Sequence, residues 1–399
     1  MNDFSTSKRV IIGIQFLFVA FGATVLVPLL VGIDPSVALF TAGVGTLIFH
    51  LITKGKVPVF LGSSFAFIAP IIASTEQYGL PGTLSGLIAV GLIYGVVSAL
   101  VKVRGLSFIE KLFPSAVVGP VIMLIGLSLA PVAIDMAKGH WWIALSALFT
   151  AIIVVVFGKG MMKLIPVFTG IIVGYIVAIA FGYVDFSGVA AASWIEMPKF
   201  VSPEFSWGAI IYMLPVAVAP IVEHVGDMYA IGAVAEKDFV KKPGLHRTLL
   251  GDGVATAFAG FFGGPPNTTY SEVTGAISLT KVVDPRILRI SAVTAIVFAF
   301  SGKISSLLQS IPKEVLGGIM ILLFGMIANV GLKILIDSHA DVKKTRNQVI
   351  ISVVLIVGIG GAKFIWNDFT FAGIGLASVV GVFLNLILPK DSKPVHVDK

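Results

Sequence analysis

Apolar residues run along this chain in long blocks, and polar residues collect in short intervals between them. A helix that crosses a bilayer needs roughly 20 consecutive apolar residues. By that measure the pattern predicts spans near residues 10–31, 37–52, 57–73, 82–101, 116–137, 141–158 and 164–184. A second set is expected near 207–235, 245–262, 265–279, 287–308, 315–336, 349–362 and 371–388, about fourteen in all. Two of these, 57–73 and 265–279, are interrupted. The first carries Pro58, then Gly62-Ser63-Ser64-Phe65, then a short helical pattern. The second carries Pro265-Pro266, then Asn267-Thr268-Thr269-Tyr270-Ser271-Glu272, then a short helical pattern. Ser and Thr at such a position cap the free N–H groups of a helix start. Non-helical backbone inside a membrane persists only where protein buries it or a cavity solvates it.

The halves of the chain echo each other. Ser63-Ser64-Phe65 matches Thr268-Thr269-Tyr270, and the stretch from Phe113 to Val121 matches that from Ile311 to Ile319. Seven spans per half is an odd number, so the halves are expected to insert with opposite orientation. Inverted repeats place a binding site where their broken spans meet. The expected fold is therefore an all-α polytopic membrane protein: about 14 transmembrane segments in two inverted 7-segment repeats, with short extended stretches in the two broken spans. Residues 185–206, with Trp194 and Pro198, are expected to form an exposed linker between the halves.

Composition supports the membrane reading. The 399 residues are 57% hydrophobic and only 12% charged, with mean hydropathy +1.01. A soluble domain of this length could not cover its surface with so few charges. The net charge of +7 would also suit a nucleic-acid binder. The cations, however, sit in short loops. With the N-terminus inside, one face keeps only Lys138, Lys199, Lys303, Lys313 and Lys363, while the other holds most of the remainder, tail lysines included. That bias predicts cytoplasmic N- and C-termini and no nucleic-acid partner. No cleavable leader is expected, because the first apolar run continues as a full span. The absence of cysteine excludes disulfides and thiolate metal sites. There is no P-loop, no zinc-type motif and no nucleophile–base set, so no cofactor, metal or enzymatic activity is expected.

The candidate chemistry is carboxylate chemistry. Glu223 lies deep in the 207–235 span, where a charge costs at least ~2.5 kcal/mol and marks a functional site by default. Asp227 is four residues on, sharing its helical face. Two carboxylates at that spacing repel in low dielectric, so the pair is expected to carry a proton. The alternative is a Glu that caps a neighbouring helix or pairs with a loop cation. His224 points to a different face and is expected to be packed or hydrogen-bonded. Asp252 is expected near the cytosolic end of its span, and Gly317-Gly318 and Gly360-Gly361 to allow close helix packing. Glu272 opens the half-helix after Tyr270-Ser271, where it either faces a cavity or simply caps the helix start. The backbone N–H groups of Phe65 and Ser271 also lie at broken-helix starts and offer donors to a carbonyl-bearing ligand. Phe65 is a stacking surface for a flat ring or a packed side chain.

These residues together resemble the nucleobase–ascorbate transporter family, and within it the bacterial uracil permeases. The resemblance rests on Gln15, the run from Phe21 to Pro28, Leu61 to Phe67, Glu223-His224-Val225-Gly226 and Pro266 to Glu272, and it covers nearly the whole chain. It implies a core domain from residues 9–104 and 207–310 and a gate domain from 105–190 and 311–390. It further implies proton-coupled uracil import across the cytoplasmic membrane by alternating access, in contact with lipid and with a homodimer left open. A xanthine- or urate-type purine permease is the alternative. By position, Phe65 should stack on the base, Glu223 and Glu272 should hydrogen-bond it, and Ser271 should offer its N–H. Glu223, Asp227 and Glu272 are the candidates for proton coupling. Purine members tend to carry Gln where Ser63 stands, which favours uracil. Departures from the family pattern are Asp227 in place of a His, Phe16 after Gln15, Val273 after Glu272, and Phe324 where a Tyr is expected.

Overall fold

The computed structural model describes residues 5–105, 107–337, 342–366 and 369–389. The tail lysines Lys390, Lys393 and Lys399 lie outside them. The chain opens with α1 (Thr6–Val31), whose first turn is capped by the Ser5 hydroxyl accepting from the Lys8 N–H. It stops at Gly32, in the left-handed region at φ 73° that glycine adopts without strain. In α2 (Pro35–Ile52) the Asp34 carboxylate caps the Ser36 N–H at 2.8 Å, and Pro35 occupies the first turn, where no N–H is needed. A three-residue strand, β1 (Leu61–Ser63), then leads through a 3₁₀ turn at Phe65–Phe67 into α3 (Ile68–Arg104).

There follow α4 (Ser107–Leu112), α5 (Ser115–Ser128), α6 (Ala130–Ala137), α7 (Trp141–Phe157), α8 (Pro166–Ala180) and the short α9 (Ser187–Ala191). The second half runs α10 (Trp207–Met213), a 3₁₀ turn, α11 (Val218–Ala235), α12 (Leu245–Phe261), β2 (Asn267–Thr269) and α13 (Ser271–Thr280). It ends with α14 (Pro285–Ala299), α15 (Gly302–Gln309), α16 (Lys313–Asp337), α17 (Thr345–Ile359), the hairpin β3 (Lys363–Trp366) and β4 (Phe369–Ala372), and α18 (Gly373–Ile387).

Among the described residues, six helical stretches are long and apolar enough to cross a membrane: Thr6–Val31, Pro35–Ile52, Phe65–Arg104, Ser115–Ala137, Trp207–Ala235 and Lys313–Asp337. Four shorter apolar helices, α7, α8, α17 and α18, accompany them.

The structure refines the span pattern. The stretch 287–308 is not one helix: α14 and α15 meet at an 84° bend across Phe300 and Ser301. The separation of 57–73 from 82–101 does appear: α3 is interrupted at Gly79, whose backbone leaves the helical region at φ 70°, and Pro81 follows. The fold is mostly helical as expected, and besides the extended stretches of the broken spans it adds the β3–β4 hairpin, which takes the first residues of the 371–388 stretch. Linker residues 185–206 are largely exposed and are pinned down by Lys303. Its Nζ donates to the carbonyls of Val189 and Ala190 at 2.8 and 2.9 Å.

Two packing groups emerge. In one, α3 lies on α10 and α12, α2 on α12 and α14, and α1 on α14. In the other, α5 lies on α16 and α17, α7 on α8, α16 on α6 and α7, and α17 on α18. Small residues set the closest approaches, as in membrane helix packing generally. A Cβ on Gly91 would sit 2.5 Å from the Gly253 carbonyl, and one on Gly331 would sit 2.5 Å from the Met123 nitrogen. Larger side chains at either place would push the helices apart.

Candidate substrate site

The two interrupted stretches meet. β1 and β2 pair antiparallel in the register Leu61 with Thr269, Gly62 with Thr268 and Ser63 with Asn267. The Ser64 N–H adds a bond to the Pro266 carbonyl at 2.9 Å. If Ser63 and Thr268 are equivalent, exchanging the halves turns the pair Gly62–Thr268 into Asn267–Ser63, which is the neighbouring pair. The register is thus its own image under a two-fold exchange.

Buried polar side chains complete the backbone bonding that so short a ladder leaves open, as buried backbone requires. Thr46 on α2 accepts from the Leu61 N–H at 2.9 Å, and Thr256 on α12 donates to the Asn267 carbonyl at 2.9 Å. The Asn267 amide donates to the Thr41 carbonyl at 3.0 Å. Tyr270 ties the crossing together: its hydroxyl donates to the Ser63 carbonyl at 3.0 Å and lies 3.3 Å from the Thr24 hydroxyl on α1. Its ring covers Gly62, where a Cβ would come within 2.5 Å of ring carbons.

Each strand hands over to a helix start. Tyr270 stands at the N-cap of α13, so Ser271 and Glu272 are its first two residues and their N–H groups lie at the positive end of the helix dipole. Glu272, in the first turn of α13, stands at the helix start and borders open space. That space is a cavity of about 70 Å³ bounded by Phe65, Tyr270 and Glu272, by Phe18 to Ala20 and Gly22 on α1, by Leu164 to Phe168 at the start of α8, and by Leu322, Leu323 and Met326 on α16. One water needs roughly 10–15 Å³ by this measure, so the cavity holds several water-sized groups. It lies between the two packing groups. Phe18 and Phe21 on α1 meet Phe168 on α8 at ring distances of 4.9 and 5.6 Å and close one side.

The carboxylates divide. Glu272 is exposed to the cavity. Glu223 is half-buried on α11, is not among the residues bounding that cavity, and lies within electrostatic reach of Asp227, Glu272 and Asp252. Asp227 is buried, and its Oδ2 accepts from the Thr269 hydroxyl at 2.6 Å, which fastens β2 to α11. Asp252 does not sit at a span end. It is wholly buried within α12, with Oδ2 3.0 Å from Nδ1 of His224, itself wholly buried. The approach is close but lies off the ring N–H direction, so it is an ion-pair distance without an aligned hydrogen bond. Sequence reasoning missed this pair and Tyr270. The signal present was a second carboxylate in an apolar helix and an aromatic ring at the position matching Phe65.

The departures also find places. Phe16 and Val273 are buried core residues, and Gln15 is exposed. Phe324 is buried too, while its neighbours Leu323 and Met326 face the cavity.

Two helices of the site each carry an exposed stripe. On α13 the exposed positions Glu272, Gly275 and Leu279 recur at helical spacing, and on α11 Gly226 and Ala230 do the same. Nothing occupies the space that a Cβ on Gly226 or Gly275 would meet. Both helices end near cations, Lys237 and Lys281.

A family model described as Permease family (Xan_ur_permease) matches residues 7–366. The chain is 51% identical over 393 residues to a probable uracil permease of Pasteurella multocida, covering 96% of this chain and 94% of that protein. It is 48% identical over 401 residues to the uracil permease of Bacillus caldolyticus, covering 96% and 93%. Among solved structures its fold is similar to that of SLC26A9, with a TM-score of 0.65 at 13% identity. That match covers 95% of this chain, which spans 64% of the SLC26A9 chain.

Proposed function

This chain belongs to the nucleobase–ascorbate transporter family, and from that premise we propose that it imports uracil with protons by alternating access. It is an integral membrane permease, not an enzyme. The observation that carries the substrate reading is the pairing of the two broken spans, which brings Phe65, Tyr270 and Glu272 around one cavity. A flat ring there stacks on Phe65. Its carbonyls accept from the N–H groups at the starts of the two half-helices, and its ring N–H groups donate to Glu272 and, once its side chain turns from α11 into the cavity, to Glu223. Ser271 contributes through its backbone N–H. Two carboxylates suit a neutral donor-bearing base and oppose an anionic cargo.

The inverted-repeat reading is supported by the two-fold register of β1 and β2. Four short apolar helices and the split spans extend the six long stretches toward fourteen segments. The packing group of α1 to α3, α10, α12 and α14 corresponds to a core, and that of α5 to α8 and α16 to α18 to a gate, with the site between them. The open faces of α11 and α13 lead from Glu272 toward the lysine-rich side, which the charge bias makes cytoplasmic together with both termini. In the proton step, Glu223, Asp227 and Glu272 crowd like charges into a low-dielectric interior. That arrangement favours sharing a proton that moves with the substrate.

The test is uptake by purified protein in proteoliposomes. Radiolabelled uracil should accumulate against its gradient when the outside is made acidic, and the accumulation should vanish when a protonophore collapses the pH difference. Excess xanthine or urate should leave uptake unchanged. Inhibition by either purine at concentrations where uracil competes would move the protein to the purine branch. Equal uptake with and without the pH gradient would remove the proton.

A further inference from the structure

Two cavities on the lysine-rich end of the first packing group share one residue, Arg289. The larger, about 620 Å³, is walled by Lys56 after α2, by Lys237, Lys241 and Lys242 after α11, and by Arg286 and Arg289 at the start of α14. Two carboxylates face these six cations, and both are engaged. Asp238 pairs with Lys241 at 3.1 Å. Asp284 accepts the Arg286 N–H at 2.9 Å and lies 3.9 Å from Arg9. Among the described residues, Lys56, Lys237, Lys242, Arg286 and Arg289 make no ion pair, and all five are exposed. Loop cations are general on this side of a membrane protein, but their convergence on one concavity is not.

The second cavity, about 420 Å³, starts at Arg289 and follows one face of α14 through Ile290, Val293 and Val297, with Val10 of α1 as its other wall. Val293 and Val297 are more than half exposed. A basic basin and an apolar groove that runs along α14 thus meet at Arg289. A soluble anion would use only the basin, and an acidic peptide would gain nothing from a groove at membrane depth.

We propose that this composite site holds one anionic phospholipid, its phosphate among Arg286, Arg289 and the loop lysines and an acyl chain along the α14 groove. The site joins α1, α2 and α14 to the loop after α11, so the bound lipid braces the group that carries the two broken spans.

Native mass spectrometry of the full-length protein, purified and delipidated, tests this with dioleoyl phosphatidylglycerol, dioleoyl phosphatidylcholine and inorganic phosphate as probes. Phosphatidylglycerol should bind in preference to phosphatidylcholine, and each of Arg286→Gln and Arg289→Gln should weaken it about fivefold. Val293→Trp, which plugs the groove and leaves every cation in place, should also weaken it. Millimolar phosphate should not displace the lipid. Melting temperature and gel-filtration profile identify any variant that fails to fold. Equal binding of the two lipids, or unchanged phosphatidylglycerol binding in the Arg286→Gln/Arg289→Gln double variant, overturns the proposal. Displacement by phosphate alone overturns the lipid as occupant in favour of a soluble anion. Uptake is not the readout, so the outcome is independent of the transport reading.

Discussion

The chemistry of the site depends on a few side chains whose neighbours are fixed. Glu272 meets the cavity and Glu223 stands within electrostatic reach of it. Glu223→Gln and Glu272→Gln should each abolish uracil uptake while leaving the melting profile intact, because the amide keeps the shape and loses the charge. Wild-type uptake by either variant in a strain lacking its own uracil transport would remove that residue from the site. Phe65→Ala should weaken uracil binding by roughly 1–3 kcal/mol, the range for stacking a base on an aromatic ring. Calorimetry showing unchanged affinity would make Phe65 a packing residue. Asp227 holds the Thr269 hydroxyl at 2.6 Å, so it ties strand to helix besides adding charge. Asp227→Asn retains an oxygen to accept that bond and removes the charge. Binding should survive while accumulation driven by a pH gradient falls. If the variant concentrates uracil as well as wild type, the proton travels through Glu223 or Glu272 without it.

At the scale of elements, the crossing of β1 and β2 is the part most sensitive to size. It is only three residues long on each side, and threonines from α2 and α12 complete its backbone bonding. The Tyr270 ring lies over Gly62 with no room for a methyl group. Gly62→Ala should therefore destabilise the protein by about 1–3 kcal/mol, the usual cost of overfilling a packed interior. It should also raise the concentration of uracil needed for half-maximal uptake, since Phe65 is displaced with the strand. Tyr270→Phe keeps the ring and drops the hydroxyl contacts with Ser63 and Thr24, so it should cost about 0.5–1.5 kcal/mol, the net worth of a typical hydrogen bond. An unperturbed Gly62→Ala protein, in both melting and uptake, would show that the ring yields easily.

For the whole molecule, the cavity sits between two packing groups that touch through Phe18, Phe21 and Phe168. Under the proposed alternating access, relative movement of the groups would change which side the cavity faces. With no native cysteine, the chain can carry a single reporter. Gly275→Cys places a thiol on the open face of α13, one turn beyond Glu272. A membrane-impermeant maleimide should label it from the lysine-rich side in inverted vesicles and not from the other side. Saturating uracil should slow the labelling. Equal labelling from both sides would mean that this face is not a one-sided path.

Much of this was fixed by local pattern. Apolar blocks reported a membrane protein, because hydrocarbon admits few charges over so long a stretch. The two interruptions, Ser63-Ser64-Phe65 and Thr268-Thr269-Tyr270, were visible because proline, glycine and hydroxyl residues cluster there, a local combination that favours a break and a helix start. The carboxylates Glu223, Asp227 and Glu272 were visible because a charge in an apolar helix is costly and is kept only where a partner or a task requires it. Contacts between distant parts of the chain were not visible. No local pattern shows that Tyr270 reaches Ser63 and Thr24, or that Asp227 holds Thr269. Nor could it show that Asp252 lies beside His224 in the interior, because the next helix decides what a buried side chain meets. The bends went the same way. The 84° break between α14 and α15 falls at Phe300-Ser301, residues that a straight helix also tolerates. Sequence set which residues are apolar, capped or charged, since those are properties of single residues and their near neighbours. Tertiary packing alone decided which of them share a cavity, because that depends on how two halves of the chain cross.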